Sequence, residues 1–322
     1  MSSGDLADLL RAGGYDNDRG NQYSANLSEI SKEVQRRVRA LKAYQLEAIK
    51  LEGEFYARVH QLELEFQPLF NAIYEKRKNV VSGEYEPTDS DCQLPLVHNL
   101  NPEKLQKFED NAPVEGSPSK GIPDFWYHVL NNTAQIDDTI CEYDEPILKY
   151  LTDITTEVHN EPTGFSLYFH FSENPYFTNA VLKKYYELKL DADSEHPFDY
   201  DGPTVVKSEG TQINWKENKN VTQKVVKEKQ KKGTGAGRFI TKTVSNDSFF
   251  NFFDPAVKVL SQDEEDSEEQ EAVRVDFEIG QLIRDQVIPR AVLFYTGEAV
   301  DEEIFEDEVD DSSVDDGSDD DE

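Results

Sequence analysis

The residues with the most evident chemistry in this sequence are carboxylates that occur in dense runs. Residues 298–322 contain 15 Asp and Glu and no Lys or Arg, and residues 263–271 contain seven more. The 322-residue chain has a formal net charge of −33, so these runs leave an excess of −11 on the remainder. Such concentrated negative charge attracts basic proteins and repels the phosphate backbone of nucleic acid. We therefore expect a basic protein partner and no direct specific DNA binding.

Residue types that catalyse reactions or bind metals show no productive spacing. The six histidines are scattered, with no HExxH pair and no neighbours that would form a hydrolase triad. Cys92 and Cys141 lie far apart and outside any CxxC or Cys/His spacing, which argues against a zinc site and a disulfide framework. The glycine-rich run 233–237 lacks the Lys-Ser/Thr of a phosphate-binding loop and favours a hairpin turn. We expect a protein that is not an enzyme and that needs no cofactor or metal.

Some carboxylates fall where predicted helices would hold them in fixed positions. A helix predicted at about 271–287 brings Glu271, Glu278 and Asp285 within about 40° of one another. The predicted apolar stripe beside them consists of Ala272, Val275, Ile279 and Leu282. A rigid acidic patch and an ordinary solvated helix face both explain this pattern. The candidates for binding a basic partner are Glu142, Asp144, Glu145, Glu271, Asp276, Glu278 and Asp285, and in the tail Glu302, Glu303, Glu306, Asp307, Glu308, Asp310 and Asp311.

The acidic runs are predicted to be disordered, because like charges with few aromatics cannot bury enough apolar surface to offset chain entropy. A solubilising tail and a flexible binding segment are both compatible with this composition. Ser312 and Ser313 each have an acidic residue three positions on. They are therefore candidate sites for an acid-directed kinase, and phosphorylation would add negative charge.

Heptad-spaced apolar residues predict one long helix at about 30–66, with Ser28 or Ser31 as its N-cap. Pro68 should end or kink it, with a shorter helix following through Lys78. A helix about 55 Å long exceeds what a small domain can cover. The stripe is predicted to pack against a second copy in a homodimer, with packing inside the monomer as the alternative. The residues of this dimerisation stripe are Val34, Val38, Leu41, Tyr44, Ala48, Leu51, Phe55, Val59, Leu62 and Phe66.

The remaining pattern predicts an α+β fold, in which an antiparallel β-sheet has helices packed on one face. Phe165, Leu167, Phe169 and Phe171 alternate with polar residues, as in a half-buried strand. The expected organisation is a disordered arm at 1–25, the long helix and a short following helix at 26–83, the α+β domain at 84–297 and the acidic tail at 298–322. Helices are predicted at about 102–110, 123–137 and 146–158, a helix or strand at 179–189, and strands at 204–207, 211–215, 219–229 and 238–244.

The last two strands predict a hairpin arm at about 219–244 with a glycine-rich tip. Its lysines are either solubilising surface residues or a nuclear import signal, which makes nuclear transport receptors candidate partners. This basic segment consists of Lys224, Lys227, Lys229, Lys231 and Lys232. The sequence begins without a secretory signal pattern and has no stretch of 18 apolar residues. We expect a protein of the nucleus and cytoplasm.

Several stretches, in the same order along the chain, closely resemble nucleosome assembly proteins. They are GIPDFW at 121–126, EYDEPILKYL at 142–151, NPYFTN at 174–179, NDSFFNFF at 246–253, DFEIG at 276–280 and IPRAV at 288–292. The resemblance runs from about Ser31 to Gly297 and is followed by an acidic tail.

The resemblance implies a homodimeric histone chaperone whose acidic concave underside, helped by the tails, binds core histones as dimer and tetramer. It also implies protection of histones from non-specific DNA contacts, nucleosome assembly and histone transport, with an export signal matching residues 38–52. Some relatives end in a prenylation box, which the terminal Asp-Asp-Asp-Glu does not match, so lipid attachment is not expected. The alternative is an acidic scaffold or phosphatase inhibitor, like the related SET-type proteins.

Overall fold

A computed structural model of the chain describes residue 27 and residues 30–98, 100–110, 120–229, 239–256, 258–259 and 268–299. The predicted N-terminal arm, the tip of the hairpin, residues 263–267 and the acidic tail from residue 300 onward lie outside the described residues.

The elements of the described residues form a long helix followed by an antiparallel sheet with short helices, which confirms the predicted α+β fold. A 3₁₀ helix lies at Pro197–Asp199 and another at Phe249–Phe253, and a π-helical turn at Ile283–Val287 extends the last long helix. The α-helices and strands are α1 (Lys32–Val81), α2 (Pro102–Asp110), α3 (Phe125–Asn131), α4 (Ala134–Asp137), α5 (Glu145–Leu148), β1 (Leu151–His159), β2 (Gly164–Phe171), β3 (Val181–Lys189), β4 (Thr204–Gly210), β5 (Gln223–Lys229), β6 (Phe239–Ser245), β7 (Lys258–Val259), α6 (Glu268–Leu282) and α7 (Ala291–Thr296).

Helix α1 is a single helix of 50 residues that begins after the N-cap Ser31. The prediction that a separate short helix would begin at Pro68 was wrong, because α1 continues through the proline to Val81. The alternative, a kink at Pro68 within one helix, stays a prediction. Tertiary contacts hold the helix on both sides of this position and offset the hydrogen bond that proline removes. The Gln67 side chain donates to the backbone carbonyl of Thr156 at 3.5 Å. Farther along, the Arg77 guanidinium donates to the carbonyl of Ile288.

The five-stranded antiparallel sheet has the order β1-β2-β3-β4-β7. The predicted alternation in β2 is confirmed, since Phe165, Leu167, Phe169 and Phe171 are all buried. The rings of the 3₁₀ helix Phe249–Phe253 cover this face, with 5.0 Å between the ring centroids of Phe169 and Phe253. The helices of the domain core thus pack against the face that the sequence pattern identified.

Strand β1 occupies residues for which the sequence predicted a helix starting at Pro146. That prediction was wrong, because α5 is a single turn and the chain then becomes extended at Leu151. Five of the nine residues of β1 are β-branched, and such side chains favour a pleated strand. They are Thr152, Ile154, Thr155, Thr156 and Val158.

Other local predictions had mixed outcomes. The helix at 102–110 is confirmed as α2. The helix predicted at 123–137 is divided into α3 and α4, which are separated by Asn132 and Thr133. The segment 179–189, which was predicted as either a helix or a strand, forms strand β3. The prediction of a strand at 211–215 was wrong, since only an isolated bridge joins Trp215 to Phe177.

Helix α1 follows β1, the edge strand of the sheet. His60 is buried, and its Nε2 lies 2.8 Å from the carbonyl oxygen of His159. Leu46 and Ile49 are buried as well, and a Cβ added to Gly53 would lie 3.4 Å from the Cα of Asp191. One face of α1 therefore covers the otherwise free edge of the sheet and contacts the loop after β3.

Strands β5 and β6 form a separate two-stranded sheet with seven residue pairs, from Gln223 opposite Ser245 to Lys229 opposite Phe239. This pairing confirms the predicted hairpin arm. In the described part of the chain, no helix has the combination of length and apolar character needed to cross a membrane.

Candidate acidic and apolar interaction surfaces

The predicted dimerisation stripe is exposed along α1. Leu41, Tyr44, Leu51, Phe55 and Leu62 are 53–67% exposed. Among the described residues, the chain's own domain covers a different face of α1, so the alternative of packing against this domain is wrong. Val34, Ala48 and Phe66 are also exposed, and Val38 and Val59 are partly buried. The stripe continues beyond its predicted end through Leu69, Phe70 and Ile73.

Three predicted carboxylates of α6 and its π-helical extension are exposed: Glu271, Glu278 and Asp285. Arginines partly neutralise this group. Glu271 lies 4.0 Å from a guanidinium nitrogen of Arg274, and Asp285 lies 2.6 Å from Nε of Arg284. Glu278 makes no ion pair within the described residues. The α6 surface is acidic, but neighbouring arginines offset more of its negative charge than the sequence pattern indicated.

Asp276 was predicted as a surface carboxylate and instead faces the domain interior. Its Oδ1 lies 2.8 Å from Nζ of Lys184, whose side chain is 1% exposed. Its Oδ2 accepts from the Ser208 hydroxyl at 3.3 Å, and its backbone carbonyl accepts from Tyr186 at 2.8 Å. These bonds connect α6 to β3 and β4, so Asp276 is unavailable to a partner.

The inward position of Asp276 also corrects the predicted apolar stripe of α6. The buried face contains Val273, Phe277 and Gly280. A Cβ on Gly280 would lie 2.4 Å from the ring of Tyr186, so only glycine allows α6 to approach β3 this closely. Ala272 and Val275, which were predicted to be apolar contacts, are exposed.

Asp144 was another predicted surface carboxylate, and it is fully buried. It accepts hydrogen bonds from the Ser248 hydroxyl at 2.7 Å and from the backbone N–H groups of Phe249 at 2.9 Å and Cys141 at 3.1 Å. Asp144 therefore joins α5 to the 3₁₀ helix. Its neighbours remain accessible, since Glu142 is exposed and Glu145 is partly buried.

The structure adds an acidic surface that the sequence reasoning missed, the loop 191–201 between β3 and β4. It holds five carboxylates in eleven residues, a density that could have identified it: Asp191, Asp193, Glu195, Asp199 and Asp201. Lys189 donates a hydrogen bond to Asp193 at 2.8 Å, and this bond is the main reason why the pKa of Asp193 lies well below its usual range. The loop lies against α1, where Nζ of Lys42 is 5.5 Å from the ring centroid of Phe198. The carboxylates of this loop are thus fixed beside the exposed helix.

Arg77 fixes α1 to the domain from the inside, and the buried Asp153 influences its charge. The Arg77 guanidinium lies between the rings of Tyr74 and Trp126, 4.7 Å and 5.0 Å from their centroids. Burial lowers the pKa of Arg77, and the negative charge of Asp153 opposes this effect. Burial likewise raises the pKa of Asp153 to about 6, against the influence of Arg77 and Lys78. The opposite charges of the two groups therefore offset part of the cost of burying each of them.

The predicted basic segment is only partly described. Lys224 and Lys227 are exposed on β5, and the backbone of Lys229 ends the strand. Lys231 and Lys232 lie outside the described residues, as do the tail candidates Glu302 to Asp311 and Ser312 and Ser313. In the described ranges no cluster of three or more His, Cys, Asp or Glu side chains could hold a metal ion.

A long helix with an exposed apolar stripe, joined to an acidic α+β domain, is the architecture of a protein that acts through extended interaction surfaces. Residues 36–298 match the family described as Nucleosome assembly protein (NAP). This match covers well over half of the chain. The chain therefore belongs to the nucleosome assembly protein family.

Individual relatives agree with this assignment. Nucleosome assembly protein 1-like 1-A of Xenopus laevis is 40% identical over 284 residues, which cover 86% of this chain and 72% of the relative. Nucleosome assembly protein 1-like 4 of Homo sapiens is 39% identical over 294 residues, 87% of this chain and 78% of the relative. Among solved structures, Nucleosome Assembly Protein 1 from Plasmodium knowlesi is similar with a TM-score of 0.51 and 27% identity, covering 83% of this chain and 98% of that one.

Proposed function

We propose that this protein is a non-enzymatic histone chaperone that binds core histones, as dimer and tetramer, through acidic surfaces. It shields them from non-specific DNA contacts and assists nucleosome assembly and histone transport. The observation that carries the proposal is a net charge of −33, part of which is held on folded elements. Membership of the nucleosome assembly protein family supports histones as the basic partners.

The working unit of this proposal is a homodimer joined through the α1 stripe. Full burial of a large apolar side chain contributes about 1.5–3 kcal/mol, and α1 exposes many of them in one chain. Burial of the stripe against a second copy would offset the cost of association. Each dimer would then present two copies of every acidic surface.

Histone recognition is assigned to the fixed carboxylates and long-range attraction to the tail. The loop 191–201, the pair Glu142 and Glu145, and the exposed carboxylates of α6 hold their charges on ordered backbone. Carboxylates that are already in place bind Lys and Arg with less loss of conformational entropy than those of a disordered segment. Shielding follows because the same histone side chains cannot pair with DNA phosphates at the same time.

We also propose that the protein shuttles between nucleus and cytoplasm. The basic segment of the hairpin would serve import, through transport receptors that recognise exposed lysines. Residues 38–52 are the corresponding candidate for an export signal. The exposure of Lys224 and Lys227 supports the first assignment.

The direct test mixes the full chain with core histones and DNA at near-physiological salt, without nucleotide, and measures histone–DNA aggregation by sedimentation. Suppression of aggregation is the expected result. Aggregation that is unchanged by the protein would contradict the chaperone proposal. If the protein instead inhibited a phosphatase, the acidic scaffold or inhibitor of the SET type would replace it.

The assignment of histone binding to the loop 191–201 is tested by comparing two variants that change the net charge equally. The first variant carries Asp191→Lys, Glu195→Lys and Asp199→Lys, and its control carries Glu84→Lys, Glu86→Lys and Asp89→Lys, all at exposed positions. We expect the first variant to lose about tenfold or more in histone affinity and the control to lose distinctly less. Equal losses would show that net charge alone matters and would remove the loop from the site.

A further inference from the structure

The beginning of α1 is a basic segment, and its Lys42 lies over the ring of Phe198. Residues 32–50 contain six Lys and Arg and only two Glu, within a chain of strongly negative charge. Arg36, Arg37 and Arg39 are exposed, and none of them makes an ion pair with a described residue. At 100° per residue, Arg36 and Arg39 lie about 160° and 140° around the helix from Val34 of the dimerisation stripe, whereas Arg37 lies about 60° from it. A dimer formed through the stripe would therefore leave Arg36 and Arg39 uncovered, with Arg37 at the rim of the seam.

The acidic tail begins near the opposite end of the same helix. Tyr295 of α7 stacks on Phe125 with 5.0 Å between ring centroids, and Phe125 contacts Trp126 at 5.5 Å. Trp126 in turn lies 5.0 Å from the guanidinium of Arg77. The last described residue, Ala299, packs on the same core. The 14 carboxylates of residues 301–322 thus start beside the carboxyl-terminal part of α1.

Distance separates the tail from the basic segment of its own chain. Arg36 and Arg77 are 41 residues apart in α1, which is about 60 Å along the axis. A chain of this tail's length has a root-mean-square span of about 26 Å if it behaves as a flexible coil. A tail could cover the basic segment within its own chain only by stretching close to its limit.

The charges of α1 favour an antiparallel pair of helices. A parallel pair would place the two basic segments 32–50 side by side. An antiparallel pair centred on the exposed stripe places residues 32–50 opposite about 57–75, where Glu63, Glu65 and Glu75 outnumber Arg58. This arrangement also puts the basic segment of one chain beside the origin of the partner's tail.

We propose that the acidic tail of each chain docks on the basic segment 32–50 of its partner's α1, where a histone would have to displace it. This inference rests on the proposed homodimer. The occupant is the tail because it offers 14 carboxylates at the correct end of the helix and its span suffices. Docking in trans would keep both charged segments covered until a more basic ligand competes for the carboxylates.

Zero-length carbodiimide crosslinking of the full chain tests the proposal, because Lys32 and Lys42 flank the arginines and can form amide bonds with tail carboxylates. Mixed dimers of ¹⁴N- and ¹⁵N-labelled chains distinguish links between chains from links within one chain. We expect between-chain links from Lys32 or Lys42 to residues 301–322 at about 50 mM salt and a large decrease at about 0.5 M salt. The variant Arg36→Ala, Arg37→Ala and Arg39→Ala should lower their yield at least about fivefold, since it removes the charges that hold the tail.

The matched control carries Lys224→Ala, Lys227→Ala and Lys242→Ala, which removes three exposed charges from the hairpin and should leave the yield unchanged. Links mainly within one chain, or mainly to the hairpin, would overturn the proposal. Sedimentation distinguishes the failure of the docking proposal from the failure of the proposed homodimer. A dimer without these links contradicts only the docking, whereas a monomer contradicts both. Duplex DNA binding that requires the three arginines, in a dimer without tail links, would make the segment a nucleic-acid site instead.

Discussion

At the scale of single residues, Lys184 and Asp276 form a buried ion pair between β3 and α6. We expect Asp276→Ala to lower the free energy of unfolding by about 3 kcal/mol, because the Lys184 ammonium loses its carboxylate in a desolvated site. The double variant Lys184→Met with Asp276→Leu should recover most of this loss, since neither charge remains buried. Urea denaturation measures both effects.

The control for this pair is Glu278→Ala, which changes an exposed carboxylate two residues farther along α6. We expect a change within about 0.5 kcal/mol, as is usual at surface positions. If Asp276→Ala were as mild as this control, the pair would not stabilise the contact between helix and sheet.

A second prediction at this scale concerns pH and Asp153. Burial raises the pKa of this group to about 6 from an ordinary value of 3.8, so the folded chain binds the proton more tightly than the unfolded chain. Its contribution to stability is fully present below 3.8 and is lost as pH rises through about 6. Asp153→Asn should therefore gain about 1 kcal/mol in stability relative to the parent between about pH 5 and pH 7.5. Urea titrations at both pH values test this, and a difference independent of pH would contradict it.

The sequence located the acidic clusters near 142–145 and 271–285 but could not separate their surface carboxylates from buried ones. Asp144 is buried by partners about 105 residues away, at Ser248 and Phe249, and Asp276 by Lys184, 92 residues away. Local composition contains no information about such distant partners. Glu142 and Glu278, in the same motifs, are exposed as predicted.

At the scale of elements, α1 carries the prediction about the dimer. Leu41 and Phe55 are exposed in the single chain, so Asp at both positions should leave the domain folded. In a dimer these charges would enter a desolvated seam at a cost of several kcal/mol per site. We expect sedimentation to show a monomer with an unchanged circular dichroism spectrum.

The corresponding control places Asp at Ala57 and Gln61, which are exposed and lie about 140° and 180° from Val34 around the helix. This variant should remain a dimer. A folded dimer in the Leu41 and Phe55 variant would remove the stripe from the interface.

The hairpin carries a prediction about localisation. Changing Lys229, Lys231 and Lys232 to Ala should reduce nuclear entry, measured by microscopy of the tagged protein, while the core stays folded. Arg at the same three positions preserves the positive charge and should preserve import. Normal import of the Ala variant together with weaker histone binding would make the arm a binding element.

Helices and strands could be predicted where the pattern of apolar side chains along the sequence matches the face that packs in the structure. The alternation in β2 and the heptads of α1 were sufficient to place these elements. The helix predicted after Pro146 failed because proline fixed the start of one turn, whereas the β-branched residues and the pairing with β2 determined the rest. Pro68 was misleading for a related reason, since contacts to β1 and Ile288 lay outside the local sequence.

At the scale of the whole molecule, the proposed function assigns different contributions to the tail and the folded surface in histone binding. Deleting residues 301–322 removes 14 carboxylates and should slow association, especially at low salt. We expect a moderate loss of affinity, about threefold to tenfold, with specific binding still measurable, because a segment predicted to be disordered loses entropy when it is fixed. Charge reversal at Glu271, Glu278 and Asp285 should cost more per residue changed.

Calorimetric titration at near-physiological salt ranks these two variants. A truncated protein that no longer binds histones, beside a charge-reversed protein that binds normally, would make the tail the main site and contradict the assignment to the folded surface.

The unbroken length of α1 gives the molecule a mechanical property. Fifty residues make a rod about 75 Å long, and Pro68 removes one backbone hydrogen bond about 54 Å from its first turn, where the rod is therefore easiest to bend. The contacts of His60, Gly53 and Leu46 with the domain lie between that point and the first turn, so they brace the helix across its weakest position. A rod held on both sides of its weak point keeps the exposed stripe straight, as a long seam with a second copy requires.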